Sequence, residues 1–276
     1  MSLFKSSILH DASALSAELR AAIEEAYIVF AGHFIGIPLG VCKCNVCCND
    51  AHERLLVTTP LRQLSSVVLS EYTNSAHGYD EYADGHALRY YLPRYFELIA
   101  LNDPPHYGDL PHCLVRLGDA NYRQHWSAKE TDIIDRLFDA LLRDKHNDVS
   151  VILWPVGYRL AYPITELIEM FVLGGGDIDR LLNTWEQASG PGPSVHIAAM
   201  ASELHSRGGH MVFQSRVLGD YADACLAVGQ FICRREQVDR LERAFFLLSD
   251  RSELQTIVSD GQALIESFLP DQTGGS

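Results

Sequence analysis

The chain has 276 residues, 47% of them apolar and 21% charged, and its 22 Lys and Arg against 36 Asp and Glu leave a formal net charge of −14. That composition excludes a disordered or low-complexity polymer, and the length suits one large domain or two intimate ones with a sizeable core. The acidity excludes a nucleic-acid backbone and an anionic membrane face as partners, because both are bound mainly by basic side chains.

The charge is spread along the chain. Residues 1–100 carry 7 basic and 11 acidic side chains, residues 101–200 carry 8 and 14, and residues 201–276 carry 7 and 11. Without an acidic tail or block, the surface is expected to be evenly solvated and able to meet a basic protein partner.

Met1–Arg20 has no continuous apolar segment, being interrupted by Asp11 and Glu18, so no secretory signal is expected and a cytoplasmic location follows. The first predicted helix runs from Asp11 to Phe30, with Leu15, Leu19, Ile23 and Tyr27 on one stripe. The uncharged stretch from Ala26 to Cys42 holds Pro38 and three glycines, and falls short of the ~20 apolar residues of a membrane span. It is expected to be a helix end followed by a buried loop.

Four of the seven cysteines then fall in Cys42-Lys-Cys44-Asn-Val-Cys47-Cys48. In a reducing compartment such clustering points to metal ligands rather than disulfides. Cys44-x-x-Cys47 has the spacing of a knuckle, and Cys42 can add a third thiolate from the same loop. Structural Zn²⁺ takes four N or S ligands in a tetrahedron at ~2.3 Å from sulfur, so Cys42, Cys44, Cys47 and Cys48 form the predicted site. The fourth ligand stays open between Cys48, His52, His33 and a distant residue such as His112 or Cys113. An iron–sulfur cluster is the alternative occupant.

A second helix is predicted from Thr59-Pro60 toward Tyr72, with Leu61, Leu64, Val67 and Val68 apolar, and a third from Leu92 to Leu101, opened by Pro93. Between them, His77-Gly-Tyr-Asp80-Glu81-Tyr-Ala-Asp84-Gly-His86 reads as a polar loop in which Asp80, Asp84 and His86 are a lesser candidate for a hydrolytic metal. Ser127-Ala-Lys-Glu130 is a capping box, followed by the stripe Ile133, Ile134, Leu137, Phe138, Leu141 and Leu142.

Val149–Leu153 fits a strand or a buried helix segment equally, and a domain boundary, if there is one, falls near 147–162. Helices are then expected at Pro163–Leu173, Asp177–Ser189 and Ser194–Ser206, with His205-Ser-Arg-Gly-Gly-His210 as a glycine-capped helix end. Gly174–Gly176 lacks the Gly-Lys-Ser/Thr of a phosphate loop and reads as an interhelix turn. Three more helices, about 215–233, 235–248 and 251–269, lead to Pro270 and a frayed 271–276. Arg234, Arg235, Arg240 and Arg243 interleave with Glu236, Asp239 and Glu242 as a salt-bridged helix face.

The expected fold is all-α, an irregular stack of about ten helices in antiparallel pairs with a zinc-knuckle-like cysteine cluster near the amino terminus. No nucleophile elbow or dinucleotide fingerprint is present. The functional expectation is therefore a non-enzymatic interaction protein with a structural zinc, of the kind of a bacterial immunity protein or antitoxin that occludes a basic toxin domain. The competing expectation is a metal-dependent hydrolase or transferase using the cysteine cluster or the Asp80–His86 loop.

Overall fold

A computed structural model describes residues 15–44, 47–77, 85–155 and 157–269 of the protein, and most of them are helical. Asp11, Asp80, Asp84 and the 271–276 end lie outside the described residues. No described helix is long and apolar enough to cross a membrane. The chain divides into two compact units, one formed by Leu15–Leu141 with Glu166–Asp177, the other by Leu142–Thr165 with the residues from Ile178 onward.

In the first unit, Ser16 caps the helix Ala17–Val29, its Oγ accepting the Leu19 N–H at 3.2 Å, and Leu19, Ala22, Ile23 and Ala26 are buried. Asn49 caps a short helix, Asp50–Thr58, whose start the sequence reading did not mark. The helix predicted from Thr59-Pro60 to Tyr72 is broken. Pro60 opens only a 3₁₀ turn, Leu61–Gln63, and Leu64 is extended. Ser65 then restarts the chain as the helix Ser66–Thr73, its Oγ accepting the Val68 N–H at 3.2 Å. A serine side chain that satisfies a free backbone N–H favours a new start over continuation.

Pro93 does not open a helix either. It lies inside His86–Ala100, where it deprives the Arg89 carbonyl of its i+4 donor. Burial of Leu88, Tyr91, Leu92, Tyr95, Phe96, Leu98 and Ile99 on that helix offsets the missing bond. The rings continue through the core of this unit, with Tyr72 against Tyr91 at 4.8 Å, Phe96 against Phe138 at 5.3 Å and Phe138 against Phe171 at 4.6 Å.

The capping box forms as its residues predict, at the start of the helix Ala128–His146. Ser127 donates its N–H to Glu130 Oε2 at 2.9 Å and its hydroxyl to the same oxygen at 2.6 Å, while Ser127 Oγ accepts the Glu130 N–H at 3.3 Å. His33 Nε2 lies 2.8 Å from Glu130 Oε1. Burial works to raise the Glu130 carboxyl pKa, but Ser127, His33 and Arg89 together hold it below its ordinary value. A depressed folded-state pKa gives stability that is present above the ordinary carboxylate range and disappears as pH falls through the folded value. Glu130→Ala should therefore cost about 2 kcal/mol at neutral pH, the upper end for a cap, and less in acid, below the ordinary carboxylate range, as the carboxyl takes up its proton. Chemical denaturation at the two pH values measures this, and an equal cost at both would refute the ionic account.

In the second unit, Val151–Trp154 is a strand paired antiparallel with Gly157–Leu160, Val151 facing Leu160, which resolves the open reading of Val149–Leu153. A second hairpin corrects the helix expected over Ser194–Ser206. The helix there is Gly192–Met200, a 3₁₀ turn follows, and Leu204–Arg207 pairs with His210–Phe213. Gly208 and Gly209, both at positive φ (59° and 81°), make the two-residue hairpin turn in place of a helix cap. The hairpin packs on the helix Ala222–Ile232, where any side chain at Gly229 would run into the Met211 backbone. The helices Arg235–Leu247 and Ser252–Phe268 complete the unit, the latter pressed at Gly261 against Ala198. Among the described residues the two hairpins make the fold mostly helical with two small sheets, rather than purely α.

Candidate metal centre

Three of the four predicted ligands come together. Cys42, Cys44 and Cys47 bring their sulfur atoms within 4.8 Å of one another, Cys44 exposed and the other two half-buried. Thiolates sharing a tetrahedral zinc would stand about 3.8 Å apart, so closure asks for an inward movement of at most about 1 Å. Among the described residues no fourth His, Cys, Asp or Glu joins the group.

Without a cation Cys47 resists ionisation. A hydrogen bond to the Ala76 backbone works to lower the Cys47 pKa, yet the Cys44 and Cys42 thiols beside it leave that pKa raised. Like charges oppose one another here, and a soft cation at the centre would reverse that opposition.

Cys48 faces elsewhere. It is fully buried, its thiol donates to the Asn49 carbonyl at 3.6 Å, and its N–H donates to Ser75 Oγ at 2.9 Å. Burial pushes its pKa up. The other fourth-ligand candidates are engaged separately. His33 meets Glu130, His52 Nδ1 lies 2.9 Å from Glu71 Oε2, and His112 Nδ1 lies 2.6 Å from Asp109 Oδ1. Cys113 is buried against the Asp109 carbonyl, and burial raises its pKa strongly.

The cysteine loop is held on two sides. On one, Glu53 of the helix Asp50–Thr58 accepts the Leu39 N–H at 2.8 Å and pairs with Lys43 at 2.6 Å. On the other, Val41 bridges His77, and Cys42 donates its N–H to the Ala76 carbonyl at 2.6 Å.

The 72–77 segment that receives those bonds is itself pinned by Arg116. Its guanidinium donates to the carbonyls of Thr73 and Ser75 and to His77 Nδ1, and lies 4.6 Å from the Tyr72 ring centre. Since Arg116 can only donate, His77 Nδ1 is an acceptor, and its Nε2–H donates to the Tyr72 carbonyl at 3.0 Å. Burial and then the Arg116 charge lower the His77 pKa to about 3, keeping that neutral tautomer.

Sequence reasoning missed Arg116, Ser75 and Glu53 as supports, because each meets the loop from a distant part of the chain and no local spacing signals it. Of the His77–His86 segment, His86 is an exposed residue at the start of its helix and His77 serves the brace. No protein-family model, curated protein or solved structure matches this chain.

Proposed function

We propose that Cys42, Cys44 and Cys47 hold one thiophilic cation, zinc foremost, and that the ion acts structurally, locking the 39–48 loop onto the 72–77 segment. The approach of three thiols to within 4.8 Å carries this reading. A mononuclear site fits better than an iron–sulfur cluster, which ordinarily asks for four thiolates. The fourth position falls to water or a donor from outside the group. Around that centre the chain works as an acidic interaction protein, in the manner of an immunity protein or antitoxin covering a basic toxin domain. The net charge of −14, spread without a tail, supports such a partner.

Elemental analysis with thiol titration tests the metal reading. The expected result is about one zinc per chain, no visible absorption, and three thiols that become reactive only after chelation. Metal well below one per chain, with those thiols titrating freely, overturns it. For the interaction role, the product of an adjacent gene should bind the purified protein, and failure of every such product to bind would remove that role.

A further inference from the structure

The second unit contains a cavity of about 230 Å³ lined by Ala188–Gly190, Ser194, Arg240, Arg243, Ala244 and Leu247. Its charge is unusual for so acidic a chain. Arg240, Arg243, Ala244 and Leu247 share one face of the helix Arg235–Leu247 through their i, i+3, i+4 and i+7 spacing. Arg240 donates to the carbonyls of Trp185 and Ala188, which engages two of its five N–H groups and neutralises none of its charge. Arg243 is exposed and has no ion-pair partner among the described residues. Glu186, the carboxylate that acts on Arg240, is already paired with Arg234 at 2.8 Å.

Ser194 also lines the cavity, from the first turn of the helix Gly192–Met200, where the helix dipole favours an anion. Ser194 is 1% exposed, and its hydroxyl oxygen is buried without a hydrogen-bond partner. A buried hydroxyl of this kind carries a desolvation cost that a bound acceptor would relieve. Both ring nitrogens of buried His146 are likewise without hydrogen-bond partners, and Arg240 is among the charges that act on it.

We propose that this cavity binds a small organic oxyanion, with Arg240, Arg243 and the Ser194 hydroxyl taking the anionic oxygens. Ala188, Ala244 and Leu247 supply an apolar wall for the remainder of the molecule. The volume is below that of an ordinary drug-sized pocket and suits a phosphomonoester with a small organic group. The site is independent of the metal reading and should bind equally in metal-loaded and metal-free protein.

Calorimetric titration of the full chain with phenyl phosphate, inorganic phosphate and phenol tests it. Phenyl phosphate should bind at one site per chain, inorganic phosphate about tenfold more weakly, and phenol not measurably. Arg243→Gln should weaken phenyl phosphate about tenfold, the loss of one charge-assisted contact, while leaving the unliganded melting temperature unchanged. Ser194→Ala should weaken it several-fold. Absence of one-site binding at millimolar phenyl phosphate overturns the proposal. So does unchanged affinity in Arg243→Gln, or inorganic phosphate binding as tightly as the ester.

Discussion

Stripping the metal from the loaded protein with a chelator should lower the melting temperature of the transition that contains the cysteine loop by roughly 5–10 °C. The size follows from linkage: an ion present at a hundred times its dissociation constant stabilises the state that binds it by about 2.7 kcal/mol. In a domain of this order of size each kcal/mol shifts the midpoint by about 2–4 °C. The loss should be local as well as global. The Cys42 N–H, hydrogen-bonded to the Ala76 carbonyl, should exchange with solvent faster once the ion is gone. Serine at Cys42, Cys44 and Cys47 together should abolish both the metal and the response to chelator, whereas Cys48→Ser should keep metal binding, because its sulfur stands outside the group of three. A melting temperature that stays fixed while the metal content falls from one to zero would show that the ion does not hold the fold.

Arg116→Ala is expected to be the most damaging single change in the brace behind that loop, at about 3 kcal/mol. It removes the donor for the Thr73 and Ser75 carbonyls and for His77 Nδ1 at once, and bonds to a charged group contribute about 1.5–3 kcal/mol each before relaxation. Because the 72–77 segment positions the cysteine loop, metal affinity should also fall by about 10–100-fold, the usual effect of losing an outer-shell support. Arg116→Lys should rescue little, since a single ammonium cannot span three acceptors.

A spectroscopic signature separates this account from simple destabilisation. His77 owes its low pKa to burial first and to the Arg116 charge second. In Arg116→Ala it should therefore titrate at a higher pH than in the parent protein. The sign in the parent chain is definite. A histidine whose folded pKa lies near 3 stays neutral in the folded protein while the unfolded chain takes up a proton below about 6.5, so its contribution to stability weakens as pH falls through that window. Retention of both metal affinity and stability in Arg116→Ala would sink the proposed brace.

Much of the helical content is legible in the residues because its signals are local. The Ser127–Glu130 box needs only four residues to satisfy its own backbone donors, and the stripe behind it, Ile133 to Leu142, buries as its spacing implies. The break at Ser65 and the passage of a helix through Pro93 run against local rules, one because a side chain competes for the backbone, the other because core burial outweighs a missing hydrogen bond. The Leu204–Phe213 hairpin is legible in principle, since Gly208-Gly209 is a two-residue hairpin turn, but the same glycine pair also fits a helix cap.

A net charge of −14 and four cysteines in seven residues are properties of the sequence by itself, and the cysteines are enough to point at a metal. Which thiols converge, and where positive charge survives in so acidic a chain, was decided only by tertiary structure. Cys48 turns away from its neighbours because its amide and burial commit it to Ser75 and the core. Arg240 and Arg243 look balanced by Glu236, Asp239 and Glu242 in sequence, yet in the fold Asp239 lies by Arg235, Arg240 turns to the carbonyls of Trp185 and Ala188, and both arginines line a cavity with Ser194.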